Sequence, residues 1–281
     1  MTFEAGQEIE YGVDRFGYHF NSQRKDRVTS ITGTLPKGWA IPWASKLTAE
    51  YAVENWDALS KMTKRERFDL IKGATNRKRD DAADRGTVVH NAIESYLGHT
   101  APDPHMTMDE CQCVASAIEF LTARKSEVLG VEVTVFSELH GYAGTVDLWD
   151  SVDGESWLLD WKTSGAIYPE YGIQLTAYQH AEWAIVDKVE IGRDKWVGKL
   201  IEWGPHVVPN LGVVHVQPDG TTFRRVMPNG RWWDQFRACL HTKHWARDTD
   251  MGPAYRPKNP RDPIFGPAVE LRREPQPQEA A

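Results

Sequence analysis

Asp160 and Lys162 lie two residues apart in the segment SWLLDWKTSG, residues 156–165. That segment reads as a short apolar strand. Successive strand side chains point to opposite faces, so Trp157, Leu159, Trp161 and Thr163 share one side and Leu158, Asp160 and Lys162 the other. A solvent-facing ion pair of this kind is worth ~0–1 kcal/mol and does no chemistry. The alternative is half of a metal-dependent phosphodiesterase site, with a carboxylate to hold a divalent cation and an ammonium beside it. A lysine preceded by an acid at two positions occurs once in the 281 residues, here. One strand earlier, GTVDLW places Asp147 where it can face Asp160 across a strand pair. Two carboxylates so placed repel and raise one another's pKa unless a cation lies between them. Oxygen ligands with room for water suit Mg2+ or Mn2+. His90 would add the nitrogen ligand that favours Mn2+, and the backbone carbonyl of Trp161 a further oxygen.

The elements that must hold these side chains follow from the period of the sequence. IPWASKLTAEYAVENW carries Pro42 near a first helical turn and apolar Trp43, Leu47 and Tyr51 at spacing four, which predicts a helix. Thr63 with Glu66 is a capping-box pattern opening a basic helix, and RGTVVHNAIESYL predicts a further helix that turns Val89, Ile93 and Tyr96 to a core. Asp109 is placed to cap another helix, with Val114, Ala117, Ile118 and Leu121 as its buried stripe. VEVTVFSEL, AGTVDLWDS and SWLLDWKTS then alternate with period two and predict three successive antiparallel strands. YGIQLTAYQHAEWAIV has helical length and spacing, and LGVVHVQPDGTTFRRV reads as a hairpin turning at Pro218-Asp219-Gly220. RWWDQFRACLHTKHWA predicts a closing amphipathic helix, on whose polar face His241 and His244 are read as ordinary surface residues. Residues 1–30 are polar and show little periodicity. Residues 1–251 are expected to form one domain, with a helical N-terminal part over 1–130 and a catalytic core over 84–250, followed by a Pro-rich tail at 252–281.

A content of 41% apolar and 26% charged residues is that of an ordinary globular protein. The acidic N-terminus and the absence of a long apolar run predict no membrane partner and a cytoplasmic location, in the host cell if the protein is phage-encoded. Cys111, Cys113 and Cys239 are too few for a disulfide framework and lack a Cys-x-x-Cys spacing, so reduced thiols are expected. The net charge of −7 argues mildly against nucleic acid, yet residues 61–80 hold eight Lys or Arg against three acids. An acidic protein that meets phosphates needs such a local surplus, because the attraction is screened beyond about 8–10 Å. Lys64, Arg65, Arg67, Arg77, Lys78 and Arg79 are therefore the candidate DNA contacts.

In order along the chain stand Gly86 and His90 in RGTVVHNAIESYL, Asp147 in GYAGTVDLW, Asp160 and Lys162 in LLDWKTS, and Gln174 with Tyr178 in YGIQLTAYQHA. This series resembles the motifs of the PD-(D/E)XK nuclease superfamily, above all its RecB-type branch, which includes CRISPR-associated exonucleases and related phage exonucleases. The order is matched over residues 86–178, and RVTSITGTLPKGWAIPWASKLTAEYA is similar in style to phage members. The resemblance implies an α/β fold of the restriction-endonuclease-like kind: a mixed central sheet flanked by helices, with an N-terminal helical wall above the site. It implies that His90, Asp147 and Asp160 ligate the metal, that Lys162 orients or activates the attacking water, and that Gln174 and Tyr178 position DNA. Glu94, one turn after His90, would hold the imidazole or add a ligand. The implied activity is Mg2+- or Mn2+-dependent exonucleolytic cleavage of DNA, on single strands or duplex ends, in recombination, repair or phage DNA metabolism. A single-strand annealing protein or helicase is the implied partner. CRISPR-adaptation members carry four cysteines on an iron–sulfur cluster; three cysteines with a Cys-x-Cys spacing do not reproduce that set, so no cluster is expected. A structure-specific endonuclease on branched or flapped DNA and a catalytically inactive DNA-binding module are the alternatives left open, and the presence of both Asp160 and Lys162 speaks against the second.

Overall fold

The chain begins in strands where a helical part was expected. In the computed structural model, which describes residues 3–20 and 23–248, β1 (Glu8–Asp14), β2 (Gly17–Phe20) and β3 (Gln23–Arg27) pair antiparallel in succession. Ile9 and Tyr11 of β1 are buried while Glu8 and Glu10 point out. The outward positions are so polar that the alternation does not stand out in the sequence, and the helical reading of 1–130 is corrected here.

Helices follow: α1 (Val28–Thr32), α2 (Ala40–Glu54), α3 (Trp56–Leu59), α4 (Lys64–Leu97) and α5 (Met108–Arg124). The Thr63–Glu66 capping box opens α4 as expected. The basic helix and the RGTVVHNAIESYL helix prove to be one helix of 34 residues. Gly73 and Gly86 cost it only about 1 kcal/mol each, and no proline interrupts it. Thr107, not Asp109, caps α5: its hydroxyl accepts from the Glu110 N–H, and the Glu110 carboxylate accepts from the Thr107 N–H. The three predicted strands are present as β4 (Glu127–Ser137), β5 (Tyr142–Val152) and β6 (Glu155–Lys162). Helix α6 (Pro169–Gln179) ends before the AEWAIV segment, most of which belongs to β7 (Trp183–Gly192). Pairing of Trp183, Ala184 and Ile185 with strands on both edges overrides their helical spacing. β8 (Lys195–Glu202), absent from the sequence reading, pairs with β7. The predicted hairpin is β9 (Asn210–Gln217) and β10 (Gly220–Arg225), and α7 spans Gly230–Asp248.

The strands run in the order β10-β9-β6-β5-β3-β2-β1-β8-β7-β4, and β4 also pairs with β5. That last pairing closes β5, β3, β2, β1, β8, β7 and β4 into a barrel, from which β6, β9 and β10 extend as an open wing. An α/β architecture with a mixed sheet is present, but the sheet is not the open restriction-endonuclease-like one expected. Aromatic rings from the barrel strands fill the enclosure, with Tyr11 stacked on Phe20 at 5.4 Å and Phe20 on Phe136 at 4.4 Å. The wing is covered on both faces. α4 and α5 pack against Trp157, Leu159 and Trp161, whereas α1, α6 and the start of α7 pack with Leu158, Leu211 and Val213. Side chains of β6 therefore alternate as the period predicted.

The chain divides into one unit of Met1–Leu240 and a second of His241–Ala281, of which only 241–248, the end of α7, is described. The expected tail at 252–281 lies outside the described residues. Among the described residues no helix is long and apolar enough to cross a membrane. Cys111, Cys113 and Cys239 are free thiols.

Candidate active site at a fork in the sheet

β5 is shared between barrel and wing. Tyr142 and Ala143 pair with Asp26 and Arg27 of β3, and from Leu148 onward the same edge pairs with β6. Residues 144–147 thus lie where β3 and β6 part, and a pocket of about 410 Å3 opens there. Because the two strands diverge, helices from both faces of the wing reach the pocket: α4 brings His90 and Glu94, and α6 brings Gln174 and Tyr178. Gly86 lets α4 come close to the end of β6, since a Cβ there would press on Thr163 Oγ1 at 3.2 Å.

Register sets Asp147 opposite Asp160, one step past the last β5–β6 pair at Leu148 and Leu159. Asp147 Oδ2 accepts from the Trp161 N–H at 2.8 Å and lies 3.6 Å from His90 Nδ1. Its carboxylate occupies the ladder position that β5 vacates at the fork. The N–H and C=O of one strand residue point to the same edge, so the Trp161 carbonyl is directed to Asp147's side of β6. Asp160 is 1% exposed; its Oδ1 accepts from Gln174 Nε2 at 3.1 Å, and its Oδ2 is paired with Lys162 Nζ at 2.5 Å. Burial pushes the Asp160 carboxyl above the usual range against the pull of Lys162, and Asp147 pushes it further. Burial alone would lower the Lys162 ammonium, but Asp160 and Asp147 outweigh it and hold the pKa above its ordinary value. Lys162 is thus no solvent-facing partner.

The donor chemistry fits a hard divalent cation. Among the described residues no three His, Cys, Asp or Glu side chains draw together into a cage of their own. Mg2+ and Mn2+ do not need one, because one or two carboxylates, a backbone oxygen and waters suffice. Oδ2 of Asp160, buried and paired with the Lys162 ammonium, and the facing carboxylate of Asp147 are the oxygens such an ion would meet.

Glu132 is a site residue that the sequence reading missed. Val131 pairs with Leu148 and Val133 with Val146, which sets Glu132 opposite Asp147 in the pocket wall. Burial first, then Asp147 and Glu94, push its carboxyl up to about 8. The available signal was a single acid inside the apolar run VEVTVF. Glu94 stands exposed at the rim, and among the described residues no hydrogen bond joins it to His90, whose ring instead contacts Asp147.

Tyr178 is 3% exposed, so its ring offers no open face to a nucleotide, although the residue borders the pocket. Its ring fills the space above Gly144, where a Cβ would come within 2.3 Å of it, and its hydroxyl accepts from Gln174 Nε2 at 3.0 Å. Tyr178 therefore aims the amide that holds Asp160 Oδ1. Gly144→Ala should destabilise the fold by about 1–3 kcal/mol through overpacking. Urea denaturation checks this; an unshifted midpoint would show that the ring has room to yield.

The six candidate cations on and near the basic stretch divide into two groups. Arg67 donates to the carbonyls of Leu59, Ser60 and Met62 and covers Trp56, and Arg77, exposed, donates to Leu70 O and covers Tyr51. These two guanidinium groups tie α2, α3 and α4 together. Arg65 and Arg79 are exposed beside Asp69 and Asp80, and Lys64 and Lys78 are exposed on the flanks. Arg65, Lys72, Arg79 and His90 fall on one face of α4, because spacings of 7, 7 and 11 are near whole turns. Replacing Arg65, Lys72 and Arg79 by Gln should flatten the dependence of log K on log salt by about 0.7–0.9 for each phosphate no longer neutralised. Arg67→Gln should leave that slope alone and lower stability. A slope unchanged in the triple variant would leave the stripe a merely solvated face.

No family model matches the chain, and no curated protein matches it. Among solved structures, SSO0001 is similar over 77% of this chain and 75% of that one, with a TM-score of 0.34 at 13% identity. LHK-Exo, in complex with dAMP, is similar over 59% of this chain and 85% of that one, with a TM-score of 0.30 at 12% identity. Neither score carries the functional reading, which rests on the side chains of the site.

Proposed function

We propose that the protein is a metal-dependent deoxyribonuclease, acting as an exonuclease on single strands or duplex ends in recombination, repair or phage DNA metabolism. The supporting observation is Asp160, a carboxylate 1% exposed, opposite the second acid Asp147 and paired with the Lys162 ammonium in the wall of an open pocket. Burying Asp160 opposite Asp147 has a cost that Lys162 offsets only in part, and a divalent cation between the two acids would lower it further. Asp147, Asp160 and the Trp161 carbonyl would hold Mg2+ or Mn2+, with His90 beside Asp147 as the nitrogen donor. Bound there, the ion supplies positive charge against the phosphate and makes water a nucleophile at neutral pH.

The protein's own groups do the rest. Lys162, held beside Asp160, would orient or activate the incoming water or donate to charge developing on the phosphate. Gln174, set by Tyr178, occupies Oδ1 of Asp160 and leaves Oδ2 for the ion. Glu132 adds a third carboxyl to the pocket wall, opposite Asp147. The ordered motifs of residues 86–178 support the exonuclease, for which a single-strand annealing protein or helicase would be the partner, in the cytoplasm. End-labelled linear DNA and covalently closed circles, incubated with Mg2+, Mn2+ or a chelator, test the proposal. Metal-dependent degradation of linear DNA alone is the expected result. Nicking of circles would make it an endonuclease, and absence of cleavage with either metal would overturn the reading.

A further inference from the structure

We infer that Lys188 is a positioning residue of the proposed metal site: its ammonium caps the Glu132 carbonyl and so fixes the turn of β4 that carries the Glu132 carboxyl into the pocket, where it holds a water of the cation; this rests on the metal-dependent reading above. Glu132 has a φ of 51°, in the left-handed region, although its neighbours Val131 and Val133 pair with Leu148 and Val146 as strand residues do. A residue with a Cβ adopts that conformation at a cost. Such a conformation persists where the surroundings impose it, and it clusters at functional sites.

The imposing element is β7. β4 pairs with β7 through Phe136, Val135 and Thr134, and the ladder stops at Thr134 and Ile185. Immediately beyond, the register of β7 shifts between Val186 and Val189, with Asp187 at a φ of 52°. The Glu132 carbonyl lies past the end of this ladder, and Lys188 Nζ, projecting from the bulge, donates to it. Lys188 is half-buried: burial lowers its ammonium, while Glu132 and then Glu94 draw it back up. A charge-assisted bond in such surroundings holds the peptide in place.

Fixing that peptide aims a carboxyl. Glu132 lines the pocket opposite Asp147, yet among the described residues no three acid, His or Cys side chains come close enough to share an ion directly. Mg2+ and Mn2+ keep several waters, and a carboxyl one step out accepts from them. Outer partners of this kind are worth roughly ten- to a hundredfold in metal affinity.

The test is calorimetric titration of Mn2+ into the full chain without DNA, with far-UV CD as the check on folding. Lys188→Met keeps most of the stem and removes the ammonium. Taking a positive charge away from a cation site would by itself tighten Mn2+; loss of the positioning bond should instead weaken it about tenfold, so the two readings differ in sign. Lys188→Arg can still donate to the carbonyl and should bind within about threefold of wild type. Glu132→Met, which leaves the backbone bond intact, should also weaken Mn2+ about tenfold, and Glu132→Met/Lys188→Met should be no weaker than Glu132→Met alone, because residues that act as one unit do not add. Equal or tighter binding by Lys188→Met overturns the inference, as do additive losses in the double variant. If Lys188→Met does not fold, unchanged affinity in Glu132→Met overturns it as well. A wild type that takes up no Mn2+ refutes the metal reading itself, whereas a wild type that binds Mn2+ no better than Lys188→Met refutes only the part given to Lys188.

Discussion

Asp160→Asn should give a folded protein that neither holds Mn2+ nor cuts DNA. The amide is the size of the carboxyl and can still accept from Gln174 through Oδ1. At the second position it replaces the oxygen paired with Lys162 by an N–H group that points at that ammonium and cannot ligate a cation. Loss of one of two charged ligands should weaken Mn2+ by at least a hundredfold, about 2.7 kcal/mol. Calorimetric titration of Mn2+ into both proteins, with CD as the check on folding, reads this directly. Affinity within threefold of wild type would remove Asp160 from the metal site.

Lys162→Ala should bind metal and DNA nearly as wild type does and cut roughly 10²–10³ times more slowly, a loss of ~3–4 kcal/mol in the transition state. Only 17% of its side chain is exposed, the Tyr171 ring lies beneath the ammonium, and two carboxylates hold its proton. A surface ion pair needs none of that support. Removing the ammonium also takes a competing cation away from Asp160, so metal affinity should hold or rise. Single-turnover cleavage at saturating Mn2+ isolates the chemical step, with DNA binding followed separately in chelator. A variant that cuts within a few-fold of wild type would refute a part for Lys162 in the reaction.

The features readable from sequence are those set by near neighbours. Parity along SWLLDWKTS placed Asp160 and Lys162 on one face and Trp157, Leu159 and Trp161 on the other, as β6 has them. Spacing of four put Gln174 and Tyr178 on one side of α6, where they are hydrogen-bonded. That Tyr178 turns inward depends on the missing side chain of Gly144, 34 residues earlier, and no local period carries such information. Closure of the barrel was hidden for the same reason, because β1 pairs with β8 and β4 with β7 across long separations. Glu132 enters the pocket from a residue of β4 with positive φ, 51°, a local departure from strand geometry that the period-two pattern does not show. The charges of Arg67 and Arg77 were visible, but a guanidinium that bonds backbone carbonyls is indistinguishable in sequence from one that meets phosphate. Trp43, Leu47 and Tyr51 predicted a helix face directed at a core; α2 forms, but nothing on it is buried.

The pairing of Glu8 with Lys199 has a consequence for a chain still on the ribosome. β4, β5 and β6 are consecutive, so the hairpins that carry Asp147 and Asp160 can form as they emerge. β1 and β2 leave the exit tunnel far earlier, and the free edge of β1 has no partner until β8 is made. A nascent chain halted before Lys195 would thus present an open row of N–H and C=O groups, the kind of edge that recruits other chains into aggregates. Glu8 and Glu10, on the outward face of β1, place like charges along that edge and discourage two such chains from zipping together before the barrel shuts.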